Sequence, residues 1–84
     1  MSREVYVGNL SDSATEITVS QKFSEFGKVS GVKLITDRVT GSSLGYAFVK
    51  MATKADAMRV IEELNGRRYD GAELTVRAAT PPRS

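Results

Sequence analysis

Residues 44–51, Leu-Gly-Tyr-Ala-Phe-Val-Lys-Met, alternate with a period of two, but the large side chains fall on the unexpected side. Alternate side chains of a half-buried strand point to opposite faces. If Ala47 and Val49 face a core, Tyr46 and Phe48 face water, next to Lys50. Two rings and an ammonium on a bare surface suit a flat, negatively charged ligand. A fold built around this stretch must cover one side of a sheet and leave the other open.

Composition sets the scale. The chain has 84 residues, which suffices for one modest core and therefore one domain. We expect that domain to span 1–84, with its core over about 4–79 and a flexible tail at 80–84. Apolar residues make up 40% and charged ones 26%, the balance of a globular domain. No apolar run approaches the ~20 residues that a membrane span requires. Arg3 and Glu4 stand where a secretion signal would be apolar. The expected location is intracellular: cytoplasm in a bacterium, nucleus or organelle in a eukaryote.

The inventory excludes much chemistry. There is no cysteine and no histidine, hence no disulfide, no thiolate or imidazole zinc site, and no Ser-His-Asp or Cys-His nucleophile. Glu62 and Glu63 are adjacent on a helical stretch, where side chains diverge rather than converge on a substrate. We therefore expect no catalysis, no metal, no cofactor and no small-molecule substrate. The net charge is only +2, so the placement of cations carries more information than their sum.

In chain order, residues 3–10 read as a strand with Val5 and Val7 inward and Tyr6 outward. A helix follows over about 15–26. Ser13 and Glu16 have capping-box spacing, with Thr15 as an alternative cap, and Gly27 is the expected stop. Its apolar stripe is Val19, Phe23 and Phe26. Residues 29–36 are a second strand, with Val32 and Leu34 inward, Lys33 outward, and Ile35 apolar on the outer side. Residues 37–43 form a loop that Gly41 and two serines leave flexible, with Arg38 its only cation.

After the strand at 44–51, Thr53 caps a second helix whose stripe is Ala57, Val60, Ile61 and Leu64, ended by Asn65-Gly66. Residues 67–69 predict a short edge strand turned by Asp70-Gly71. The last strand covers 74–78, with Leu74 and Val76 inward and Arg77 outward. The order β-α-β-β-α-β predicts a ferredoxin-like α+β sandwich: a four-stranded antiparallel sheet with both helices on one face. By strand phase alone, Tyr6, Tyr46, Phe48, Lys33, Lys50 and Arg77 share the open face.

At these residues the chain resembles the RNA recognition motif family. Val5-Tyr6-Val7-Gly8-Asn9-Leu10 fits the family's first-strand hexapeptide, and Gly45-Tyr46-Ala47-Phe48-Val49 fits the heart of its third-strand octapeptide. The resemblance runs from about residue 4 to 79. The chain departs from the pattern at Leu44, where the family carries a cation, at Met51, where it carries an aromatic, and at Gly71-Ala72, where Gly-Arg is usual. The resemblance implies a partner, single-stranded RNA, or single-stranded DNA by the same chemistry, and a monomer. It implies that Tyr6 and Phe48 each stack a base and that Tyr46 packs against a sugar or base edge. Lys50, Lys33, Arg77 and Asn9 join the implied RNA-binding set, and Arg38 and Arg83 do so only if their loop or tail folds over the ligand.

Two other readings differ in class. Some relatives bind peptides through the helical side, and Arg67-Arg68-Tyr69 loosely resembles their Arg-x-Phe motif. That subgroup usually lacks the sheet aromatics, which are all present here. A small ferredoxin-like enzyme is the third reading, and the missing His and Cys argue against it.

Overall fold

A computed structural model of the chain describes residues 3–79. The elements are β1 (Glu4–Gly8), α1 (Glu16–Ser24), β2 (Val29–Thr36), β3 (Ser43–Met51), α2 (Lys54–Leu64), β4 (Arg68–Tyr69), β5 (Ala72–Glu73) and β6 (Thr75–Ala78). The main sheet is antiparallel with order β2-β3-β1-β6, so the two strands carrying the motifs are central. This is the expected ferredoxin-like arrangement. The expected tail at 80–84, with Arg83, lies outside the described residues.

Strand phase came out as read. Val5, Val7, Ala47, Val49, Met51 and Val76 point to one face and are at most 1% exposed. They meet Val19 and Phe23 of α1 and Ala57, Val60 and Leu64 of α2 in one cluster. Phe26, Val32, Leu34 and Ile61 pack at its edge. Both helices therefore cover a single face. Ile35, the residue that broke the alternation, sits where the β2–β3 register shifts between Leu34 and Thr36.

The first helix takes the alternative of its two expected caps and stops short of its expected end. Thr15, not Ser13, is the N-cap: its hydroxyl accepts from Thr18 N–H, and Thr18 Oγ1 accepts from Thr15 N–H in return. The side chains of the expected pair are engaged elsewhere. Ser13 donates to Asp70 at 2.6 Å, and the Glu16 carboxylate accepts from Leu34 N–H of β2 at 3.0 Å. The helix closes at Ser24, two residues before the predicted end, with Glu25 as cap. Gly27 does not adopt the left-handed conformation of a glycine stop. A Cβ there would lie 3.1 Å from both Asp56 Cβ and Met51 Cε, so the glycine serves close packing against α2 and β3.

The second helix is capped as expected, with Thr53 Oγ1 accepting from Asp56 N–H at 3.0 Å and Gly66 left-handed just past its end. Residues 68–69 form the expected short strand, turned by Asp70-Gly71. They do not extend the main sheet; Arg68 and Tyr69 pair only with Ala72 and Glu73, as a separate hairpin. Asp70 (φ 54°) and Gly71 (φ 83°) both have positive φ, the geometry of a tight hairpin turn. Tyr69 of this hairpin packs against the core, and its hydroxyl donates to Thr18 O at 3.3 Å.

The loop after β2 is also more ordered than its composition suggests. Asp37 Oδ1 accepts from Val39 N–H (2.8 Å) and Thr40 N–H (3.0 Å). The Asp37 carbonyl accepts from Gly41 N–H (2.8 Å), and Asp37 N–H donates to Ser42 O (2.7 Å). One aspartate thus satisfies most of the turn's backbone donors.

Candidate nucleic-acid interface

Strand register places four of the expected residues in one row across the open face: Lys33 on β2, Phe48 on β3, Tyr6 on β1 and Arg77 on β6. Residues directly opposite in antiparallel strands are neighbours on the same face. Tyr46 lies two residues along β3 and stands opposite Gly8. Lys50 lies two residues the other way, between Gly31 and Glu4, so this cation has an acidic neighbour.

The three rings form a triangle. Centroids are 5.9 Å apart for Tyr6–Tyr46, 5.9 Å for Tyr6–Phe48 and 6.1 Å for Tyr46–Phe48. These are the distances of touching aromatic pairs, and mutual contact leaves all three half-buried. The planes differ. Tyr6 and Tyr46 are tilted by 34°, while Phe48 stands at 62° to Tyr6 and 90° to Tyr46. A flat ligand lying on Phe48 therefore cannot lie flat on Tyr46 as well. Arg77 places its guanidinium carbon 4.6 Å from the Tyr6 ring centroid, a cation–π distance.

The structure brings Tyr6, Tyr46, Phe48, Lys33, Lys50 and Arg77 to one face. It does not place Asn9 or Arg38 in that row. Asn9 follows β1 with φ 64°, and its side-chain amide donates to Glu73 O at 2.7 Å, pinning the end of β1 to β5. Arg38 is exposed in the Asp37-ordered turn. Leu44, at the position where the family carries a cation, is 52% exposed.

Below the sheet ends, Asp70 accepts from both Ser11 and Ser13 hydroxyls at 2.6 Å, clasping the β1–α1 loop to the hairpin turn. These two bonds, that from Ser11 first, hold the Asp70 carboxyl below the usual carboxylate range. A depressed folded-state pKa means that the clasp contributes its stability above the unfolded pKa near 4. The contribution is lost as pH falls through the lower folded value. Asp37 behaves alike, lowered chiefly by the N–H groups of Thr40 and Val39. Thermal unfolding between pH 7 and 3 is expected to show stability falling below about pH 4. Asp70→Asn, which tolerates the positive φ, is expected to flatten that fall, and an unchanged acid slope would discount the clasp.

Among the described residues, no group of three acidic, His or Cys side chains could hold a metal ion. No helix among them is long and apolar enough to cross a membrane.

A four-stranded antiparallel sheet with two helices over one face and an open aromatic face defines a class of ferredoxin-like α+β modules. Residues 5–75 match the RNA recognition motif family, and the chain belongs to it. It is 44% identical over 77 residues to the "Putative RNA-binding protein RbpA" of Nostoc sp. (strain PCC 7120 / SAG 25.82 / UTEX 2576), covering 92% of this chain and 76% of that one. It is 38% identical over 79 residues to the 29 kDa chloroplastic ribonucleoprotein of Arabidopsis thaliana, covering 94% of this chain and 23% of that protein. Among solved structures it is similar to the RNA-binding protein PG1, with TM-score 0.89, 38% identity, and coverage of 98% and 100%. It is also similar to the RNA15 RRM with bound RNA (GU), with TM-score 0.87, 28% identity, and coverage of 96% and 86%.

Proposed function

We propose that this chain is a single, monomeric module that binds single-stranded RNA on the open face of its sheet and performs no chemistry. The observation that carries the reading is the cross-sheet row, in which adjacent rings of Phe48 and Tyr6 are flanked by Lys33 and Arg77. Every base has a π-face, and stacking on an aromatic is worth ~1–3 kcal/mol per base. Single strands are favoured because their bases can be splayed out. Because the ring planes differ, Tyr6 and Phe48 serve separate bases, while Tyr46 meets a sugar or base edge. Lys33, Lys50 and Arg77 meet phosphates or base edges. The RNA-binding and ribonucleoprotein names of the relatives, and the RNA bound to the RNA15 RRM, support this reading. The cyanobacterial and chloroplast relatives support a location in a bacterial cytoplasm or an organelle; the role we propose there is in RNA processing, stability or translation.

The peptide-binding alternative is weaker, because Tyr69 is folded onto the core and bonded to Thr18, and Arg67 pairs with Glu63 at 3.6 Å. Titrating the protein with a random single-stranded RNA pool while following amide chemical shifts tests the proposal. Shifts are expected on β1 and β3 around Tyr6, Tyr46 and Phe48. Log affinity against log salt is expected to fall with a slope of about −1.4 to −2.8, the mark of about 2–4 phosphates on a single strand. Shifts confined to α1 and α2 would reject the platform.

A further inference from the structure

We propose that Gly8 is a positioning residue for Tyr6, the seat that lays this ring into its place on the platform. The inference rests on the RNA-binding reading of the open face. Gly8 lies two residues after Tyr6 on β1, so a side chain there would project to the same face. A Cβ at Gly8 would lie 2.8 Å from Tyr6 Cζ and 2.9 Å from Cε2, and in still closer collision with the hydroxyl oxygen. The ring therefore lies down along its own strand over Gly8, and Gly8 is buried at a position that otherwise faces the open side.

That recumbent pose determines the platform's shape. Gly8 stands opposite Tyr46 in register, so leaning over Gly8 carries the Tyr6 ring toward Tyr46, to 5.9 Å. Arg77, which stands opposite Tyr6, then approaches the ring to 4.6 Å. The ring is confined by its seat, by Tyr46 and Phe48 toward β3, and by Arg77 toward β6. A base meets a ring whose orientation is already fixed, and the ordering cost of that side chain falls on folding rather than on binding.

Gly8 does not use a positive φ, so alanine suits its backbone. The atoms that the new methyl meets are the far end of one movable side chain. Gly8→Ala therefore keeps the Tyr6 ring but lifts it from its seat, which separates the presence of the ring from its pose.

The test measures Kd for a random single-stranded RNA pool with the parent, Tyr6→Ala, Gly8→Ala and the double variant. Tyr6→Ala is expected to weaken binding about 5–150-fold and Gly8→Ala about 2–12-fold. In the Tyr6→Ala background the Gly8→Ala change is expected to have no further effect, because its target is gone. Ring-proton shifts of Tyr6 and Tyr46 are expected to move in Gly8→Ala while Val49 and Val60 methyl shifts stay. Parental affinity for Gly8→Ala overturns the proposal, and so does an equal loss with and without the Tyr6 ring. If Gly8→Ala does not fold, recovery of the fold in the double variant supports the collision with Tyr6, and no recovery overturns it. Parental affinity for Tyr6→Ala brings down the platform reading itself, and this proposal with it.

Discussion

Phe48→Ala is expected to weaken RNA binding about 5–150-fold, the ~1–3 kcal/mol of one stacked base, while the fold survives. Phe48 lies on the central strand β3, in register with Lys33 on one side and Tyr6 on the other. Its ring touches both tyrosines, at 5.9 and 6.1 Å. Truncation thus removes a stacking surface and also loosens its neighbours, and aromatic contacts of this kind contribute ~0.5–1.5 kcal/mol each beyond burial. A modest drop in stability accompanies the loss of binding. The core lies on the opposite face, where Ala47 and Val49 are fully buried, and it does not depend on this ring. Circular dichroism and a denaturation curve establish that the variant is folded, and a Kd for a random RNA pool then decides. A folded Phe48→Ala that binds like the parent would sink the stacking platform.

The largest effect on stability is expected from the other face. Phe23→Ala should cost about 3–5 kcal/mol. Phe23 is 1% exposed and lies in the cluster that joins α1 to the sheet and α2. Its removal leaves a cavity walled by elements that cannot easily collapse, because α1 is held at its start by the Thr15–Thr18 box and by Glu16 on β2. A domain of this size has about 4–12 kcal/mol in total, so the variant falls near the unfolding threshold. Urea denaturation measures this as a lower midpoint with an unchanged slope. Phe26, half-buried beyond the helix end, provides the comparison and is expected to lose less. A cost below about 1 kcal/mol for Phe23 would mean that its ring does not fill the core.

The two faces were legible in the sequence to different depths. Period-two alternation placed Val5, Val7, Ala47 and Val49 inside and Tyr6, Tyr46 and Phe48 outside, because strand phase is local and the core must be covered. The cap at Thr53 was legible for the same reason: its partner is three residues away. Ser13 had an equally good local pattern and was not the cap, because Asp70, 57 residues on, takes its hydroxyl. Glu16 was drawn away by Leu34, and Gly27 by the approach of α2. Asn9 fits a motif of the family, and its amide also donates to Glu73 O. For Ser13, Glu16 and Gly27 a distant partner outcompeted a local role, and local spacing carries no signal of such partners. The seat under Tyr6 was in principle visible as an aromatic followed two residues later by glycine on the same face. Only the ring's direction along the strand gives that spacing its meaning.

The bond from Leu34 N–H to the Glu16 carboxylate bears on how copies of the chain meet one another. β2 is an outer strand of the sheet, and its free backbone donors are a template on which a foreign strand could assemble. Glu16 occupies one of these donors from within the same molecule and sets a negative charge along that border. A second sheet docking there would have to expel a charged group to bond at Leu34. The carboxylate that does not cap its own helix therefore closes one donor of this border to a foreign strand, in a protein whose other broad surface is open and aromatic.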